Sequence, residues 1–237
     1  MTQWYFQEHM SGEEFVLDQQ ESKHISKVLR KPIGELVQFT NGKGSVFTCK
    51  IEDNHPRRTR LRIVEQQFLT KPSYDIHLAI APTKNMDRIE WLMEKITEIG
   101  VDEITILQTE NTERIQVNIQ RLQKKAINAC KQSRKAWLPS LNDITPFDQF
   151  ISDPSLLSHQ RFICYVDENI PDHLYQLAKP GHSYLVLIGP EGDFGPSEIQ
   201  AALDEGFSAC SLGKSRLRTE TAGLVAVHSL QLANLSL

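Results

Sequence analysis

Arg218, Glu220 and Glu191 are the residues whose types and neighbours best suit them to chemistry. Arg218 and Glu220 follow Leu212-Gly213-Lys214-Ser215-Arg216-Leu217, and Glu191 lies within Leu187-Ile188-Gly189-Pro190-Glu191-Gly192-Asp193-Phe194. Each stretch reads as a buried strand that breaks at a glycine turn and feeds a helix. A guanidinium held on such a turn is a fixed cationic donor, suited to an anion that develops during a reaction. A carboxylate beside it has two candidate roles, accepting a proton or orienting the arginine. The plainer alternative is a structural pair between Arg218 and Glu220 or Glu191. Two such turns at the carboxyl ends of neighbouring strands make a crevice where backbone groups face a ligand. Its expected contacts are main-chain groups of Leu187, Gly189, Gly192, Leu212, Gly213 and Leu217 beside apolar walls. A side chain added at the glycines is expected to block the ligand's approach.

The elements that must hold these turns follow from hydrophobic patterning. Tyr184–Ile188 is an unbroken apolar run, and a helix is predicted from Pro196, with Glu198 in its first turn. Thr219 is predicted to cap a helix through Leu224, Val225, Val227 and Leu230. Upstream, strands are predicted at 76–81, 104–107, 162–166 and 209–212, and helices at 117–135, 197–205 and 219–235. Met86, Ile89, Leu92, Met93, Ile96 and Ile99 recur at helical spacing, and Gly100 is a natural cap. Strands alternating with helices predict an α/β domain, a mostly parallel sheet covered on both faces. Before Lys71-Pro72-Ser73 the pattern is β-rich, with runs at 36–40, 45–51 and 59–64 and an Asn41-Gly42 hairpin signal. The predicted domains are therefore residues 1–72, a small β-barrel, and residues 73–237.

The two glycine stretches resemble the SPOUT class of S-adenosylmethionine-dependent RNA methyltransferases. Within it they are similar to the bacterial 16S rRNA uridine N3-methyltransferases, the RsmE family. That family's pattern is close to Gly-Pro-Glu-Gly-Gly-Phe, then Leu-Gly-x-Arg-Ile-Leu-Arg-Thr-Glu-Thr-Ala. Asp193 stands for the second Gly of the first motif, and Ser215 and Arg216 for the Arg and Ile of the second. Leu217 to Ala222 match throughout. His24-Ile25-Ser26-Lys27-Val28-Leu29-Arg30 is similar to the family's His-x-x-x-Val-Leu-Arg, and Asp87 to Trp91, Thr97 to Gly100, Glu113-Arg114 and Gln132-Ser133-Arg134 fall in family order.

The resemblance implies a PUA-like RNA-binding domain at residues 1–72 and a SPOUT domain with a C-terminal trefoil knot at 73–237. It also implies a homodimer that binds S-adenosylmethionine and acts on 16S rRNA, in an assembled small ribosomal subunit. The product is N3-methyluridine, at the uridine numbered 1498. In that chemistry, removing the imide proton leaves an in-plane nucleophile whose charge spreads to the ring carbonyls, where Arg218 would act. The proton acceptor stays open among Glu191, Glu220 and water. His24, Lys27 and Arg30, at i, i+3 and i+6 of a helix, and Arg134 from the catalytic domain are the expected RNA-backbone contacts. The target base must leave its stack, which favours a loop or junction. Two other functions remain, a ribose 2′-O-methyltransferase of the same class and a non-catalytic RNA-binding assembly factor.

The net charge of −4 excludes a protein that coats nucleic acid through a general excess of cations. The charge is uneven, however. Arg114, Arg121, Lys124, Lys125, Lys131, Arg134 and Lys135 form a run, with no acidic residue from Ile115 to Asn142, that is either a solvated helix face or an RNA-facing one. No apolar run reaches the roughly 20 residues of a membrane span. Met1–Phe6 lacks the pattern of a secretory signal. Cys49, Cys130, Cys164 and Cys210 show neither metal spacing nor close pairs, so a reduced cytoplasmic setting and no metal are expected. Gly213-Lys214-Ser215 ends like a P-loop, but Ser208 stands where that motif needs glycine. A nicotinamide fingerprint is also missing at Gly189–Gly195.

Overall fold

The computed structural model describes residues 4–10, 12–167, 169–170 and 172–235. Of the predicted signal-free segment, Met1–Gln3 lies outside these residues. The chain divides into two compact units, Met1–Lys71 with Cys130–Leu138, and Pro72–Ala129 with Pro139–Leu237.

In the first unit, β1 (Tyr5–Phe6), β2 (Glu14–Val16), β3 (Leu36–Thr40), β4 (Ser45–Asp53) and β5 (Arg60–Phe68) form one sheet in the order β1-β3-β4-β5-β2. All pairs are antiparallel except β1 with β3. Asn41 turns the β3–β4 hairpin, its Oδ1 accepting from the N–H groups of Lys43 at 2.8 Å and Ser45 at 3.2 Å. Tyr5, Ile25, Phe39, Phe47, Ile51 and Leu61 are the centre of this unit's core. Between β2 and β3 lie helix α1 (Gln19–Lys23), capped by Asp18, and a π-helical turn, His24–Val28. The segment Cys130–Leu138 adds Ala136 and Trp137 against Trp4, Val46 and Leu69, and the Trp137 indole donates to the Leu69 carbonyl at 2.8 Å.

The second unit alternates β6 (Ile76–Ile80), α2 (Met86–Ile99), β7 (Glu103–Gln108), α3 (Ile119–Ser133), β8 (Ser140–Pro146), α4 (Phe147–Ile151) and a 3-10 turn, Pro154–Ser158. It continues with β9 (Gln160–Cys164), α5 (Leu174–Leu177), β10 (Tyr184–Ile188), α6 (Pro196–Asp204), β11 (Ser208–Cys210) and α7 (Thr219–Ala233). Helix α3 begins in this unit, and its last turn belongs to the first. The six strands are all parallel, in the order β11-β9-β10-β6-β7-β8. β10 and β6 are buried at every position, as the apolar runs require of central strands covered on both faces. On one face, α4 and α6 close a core of Ala79, Phe147, Phe150, Leu185, Leu187 and Phe194. On the other, α2 packs against α7, and α7 lies over β6 and β10. Gly223 permits that approach, since a Cβ there would stand 2.9 Å from Ile80 Cδ1 and 3.1 Å from Leu92 Cδ2.

Candidate active site

Strand order places the site. The chain leaves β6 toward β7 and β8, whereas β10 leads outward to β11 beyond β9. The sheet therefore changes winding direction between β6 and β10, and the loops after these two strands part there, the position at which parallel sheets bind ligands. One expectation is corrected at this point. The strands carrying the two glycine turns are not neighbours, because β9 lies between β10 and β11.

The β10 turn is braced by the loops after β6 and β7. Glu191 is exposed, and its Oε1 accepts from the Lys84 N–H at 3.1 Å, across the winding change. The Lys84 carbonyl accepts from Arg114 Nε at 2.9 Å, and the Lys84 ammonium pairs with Glu113 at 2.7 Å. The Asn111 amide donates to the carbonyls of Gly192 at 3.3 Å and Asp193 at 3.1 Å. Buried Glu198, in the first turn of α6, accepts from the N–H of Glu110 at 2.8 Å and of Gly195 at 2.9 Å. Asp193 adopts φ +63°, a left-handed conformation that aspartate tolerates when its side chain bonds locally. Its Oδ1 accepts from the Phe194 N–H and its Oδ2 from the Val166 N–H. A Cβ at Gly189 would meet the Phe194 nitrogen at 3.1 Å, and one at Gly192 would meet Asn111 Cβ at 3.2 Å. These two glycines therefore serve the packing of the turn itself, in place of the ligand approach expected of them.

The β11 turn is built differently. Ser211 Oγ accepts from the Gly213 N–H at 3.0 Å, and Gly213 holds φ +112°, which only glycine adopts without strain. Open space surrounds the position of a Cβ at Gly213. Leu212 and Leu217 are half-buried on either side, while Leu187 is fully buried within β10, in register with Ala79 and Ile163. Helix α7 starts one residue earlier than predicted: its N-cap is Arg218, without a side-chain capping bond, and Thr219 is a buried first-turn residue. Arg218 is exposed and, among the described residues, makes no ion pair or side-chain hydrogen bond. The structural pairing with Glu220 or Glu191 does not form. Glu220 is 7 % exposed, its Oε1 lies 3.8 Å from Arg88 Nε, and its buried Oε2 has no hydrogen-bond partner. Of the three charged residues expected together, Arg218 and Glu191 are on the surface and Glu220 is inside.

The expected RNA contacts are rearranged. The Leu29 N–H bonds the His24 carbonyl in a π turn, and Arg30 leaves it at φ +52°. His24, Lys27 and Arg30 therefore do not share an α-helical face, because the wider turn changes the angle between successive side chains. Lys27 and Arg30 are exposed and His24 half-buried. Arg134, exposed at φ +56° just past α3, lies in the first unit and not in the catalytic one. Of the basic run, Arg121 and Lys125 pair with buried Glu90, and Lys131 pairs with Glu21 at 2.5 Å, so much of it is structural. Lys84, Arg88, Asn111 and Glu198 were not expected at the site; the only sequence signal for them is a polar residue soon after an apolar strand or in a first helical turn.

Among the described residues no cluster of three or more His, Cys, Asp or Glu could hold a metal, and no helix is long and apolar enough to cross a membrane. A parallel sheet with two braced glycine turns and an unpaired arginine after the second defines an RNA methyltransferase. The chain belongs to that family: the RNA methyltransferase domain family matches residues 70–231, and the RNA methyltransferase PUA domain family matches residues 17–63.

Its relatives narrow the class. The Ribosomal RNA small subunit methyltransferase E of Synechocystis is 31% identical, over 87% of this chain and 69% of that protein. The crystal structure of a probable rRNA-methyltransferase from Porphyromonas gingivalis superposes with a TM-score of 0.89 at 40% identity, covering 97% of this chain and 98% of the other. That of Ribosomal RNA small subunit methyltransferase E from Neisseria gonorrhoeae, bound to S-adenosyl methionine, does so with a TM-score of 0.88 at 25% identity, covering 99% and 98%.

Proposed function

We propose that this protein transfers a methyl group from S-adenosylmethionine to N3 of a uridine in 16S rRNA, giving N3-methyluridine and S-adenosylhomocysteine. The observation that carries the reading is the unpaired, exposed guanidinium of Arg218 at the head of α7, directly after the Gly213 turn.

The residues present fit the cofactor on two grounds. Gly213 leaves room where any side chain would stand, and the buried Glu220 Oε2 is an acceptor without a donor, compatible with a cationic ligand. Main-chain groups at Gly189, Gly192, Leu212, Gly213 and Leu217 would hold it, with Leu187 as the buried floor. When bound, it supplies a methyl group on a sulfonium. Arg218 would stabilise the uracil anion left when the N3 proton departs, by hydrogen bonding to a ring carbonyl oxygen. The N3–methyl bond then forms as the sulfur–methyl bond breaks. Glu191 is committed to the Lys84 N–H, so its proposed role is to fix the loops; Glu220, beside Arg88, is the better placed of the two carboxylates to take a proton or orient the site.

The rRNA would be held by the first unit through His24, Lys27, Arg30 and Arg134, as phosphate contacts that position without reading sequence. The proposal includes the uridine numbered 1498 as target, the assembled small subunit as substrate, a trefoil knot formed by the last strand and helix, a homodimer and a cytoplasmic setting. Mass analysis of nucleosides from small subunits treated with the protein tests it. N3-methyluridine is expected; a 2′-O-methylated nucleoside or no product would contradict it.

A further inference from the structure

A second polar cavity lies at the amino ends of β6 and β7, whereas the glycine turns follow the carboxyl ends of the strands. Its volume is about 380 Å3, within the roughly 300–1,000 Å3 of small-molecule pockets. His77, the second residue of β6, contributes a side chain that is 4% exposed. The Asn142 amide donates to Thr105 Oγ1 at 2.9 Å, and the Thr105 hydroxyl lies 2.8 Å from His77 Nε2. The hydroxyl proton satisfies His77 Nε2, which assigns the imidazole proton to Nδ1. That Nδ1 is buried and has no hydrogen-bond partner. Glu103 Oε2 is 3.7 Å from it, too far for a direct bond.

The wall thus presents a buried N–H donor and, alongside it, a carboxylate that accepts. A ligand satisfying both carries a carbonyl next to one or more N–H groups on a single planar edge. Guanine does so with its O6, N1–H and N2–H2. Adenine has no carbonyl, and uracil flanks its one N–H with carbonyls on both sides. The Phe150 ring, 5.5 Å from that of His77 and perpendicular to it, gives an apolar face for such a plane. Glu103 and Asp153 line the cavity and no lysine or arginine among the described residues does, which disfavours a phosphate. We infer that this cavity binds a guanine base or nucleoside, at a site separate from that of the methyl donor.

The test is calorimetric titration of guanosine, adenosine and uridine into the full-length protein, with S-adenosylmethionine saturating so that its own site is filled. Guanosine should bind saturably, and at least roughly tenfold more tightly than adenosine or uridine, the effect of one unpaired buried group. Glu103→Gln, at a 40% exposed side chain, should weaken guanosine about tenfold or more while leaving the melting temperature and S-adenosylmethionine affinity unchanged. Absent guanosine binding, equal affinity for the three nucleosides, or an unaffected Glu103→Gln variant would overturn the inference. The affinity for S-adenosylmethionine, measured separately, tests the proposed function.

Discussion

The two glycine turns meet one demand, a tight reversal after a buried strand, with different residues. Gly213 relies on a backbone conformation closed to other side chains, whereas Asp193 sits at φ +63° and offsets the strain with two hydrogen bonds from its own carboxylate. Gly213→Ala should therefore cost about 1–3 kcal/mol in urea unfolding, from strain alone. Asp193→Ala loses both bonds and keeps the strain, while Asp193→Gly loses the bonds but relieves it, so the glycine variant should be the more stable of the two. Equal stabilities would show that the carboxylate bonds contribute nothing. The identity of the turn residues was legible at this scale, because glycine and proline after an apolar run have few alternatives. Their partners were not, since Glu191 bonding Lys84 and Glu198 bonding Glu110 join residues 107 and 88 positions apart.

Among the elements, those with strong periodicity were read correctly: β3, β6, β10, α2, α6 and α7 lie where apolar spacing put them, within a residue or two. The edge strand β8 was missed because Ser-Leu-Asn-Asp-Ile-Thr-Pro is half exposed and lacks an apolar run. The π turn was invisible for a different reason, since five successive side chains look alike in α and π spacing. Widely separated cysteines also meet: Cys164 and Cys210 are paired in register on β9 and β11 as free thiols, with sulfurs 3.1 Å apart. Burial pushes both Cys49 and Cys130 up to about 12, and pushes Cys164 well above the ordinary thiol range. None of these three should react with a thiol-specific disulfide reagent at pH 8 while native, and all should react once unfolded; fast native labelling would mean that the strands open readily. At the α2–α7 contact, Gly223→Val should destabilise by about 1–3 kcal/mol through overpacking against Ile80 and Leu92, measurable in the same unfolding assay.

For the whole molecule, the pattern of apolar runs gave an α/β domain after a β-rich segment, and the parallel sheet and the PUA-family match agree with it. Strand order was beyond its reach, because nothing local to β10 shows that it inserts between β6 and β9. His77 links the fold to pH. Burial lowers its pKa to about 4, against the ordinary 6.5, with Glu103 opposing the shift and His159 adding to it. Above pH 6.5 the imidazole is neutral both folded and unfolded, so its burial costs nothing. As pH falls from 6.5 to 4 the unfolded chain takes up a proton that the native state refuses, so stability is lost across that window, by an amount on the order of 3 kcal/mol. His77→Gln should flatten the decline in unfolding free energy between pH 7 and 4.5 relative to the parent protein. An identical slope would place the loss elsewhere.

The central claim is that Arg218 serves the methyl transfer itself and not the fold. The direct test is transfer of labelled methyl from S-adenosylmethionine to small ribosomal subunits lacking the modification, comparing the parent protein with Arg218→Ala after equal melting temperatures and cofactor affinities have been established. The turnover rate should fall about 10²–10³-fold, the size expected when one fixed donor to a developing anion is removed. A variant that methylates at the parent rate would contradict the account.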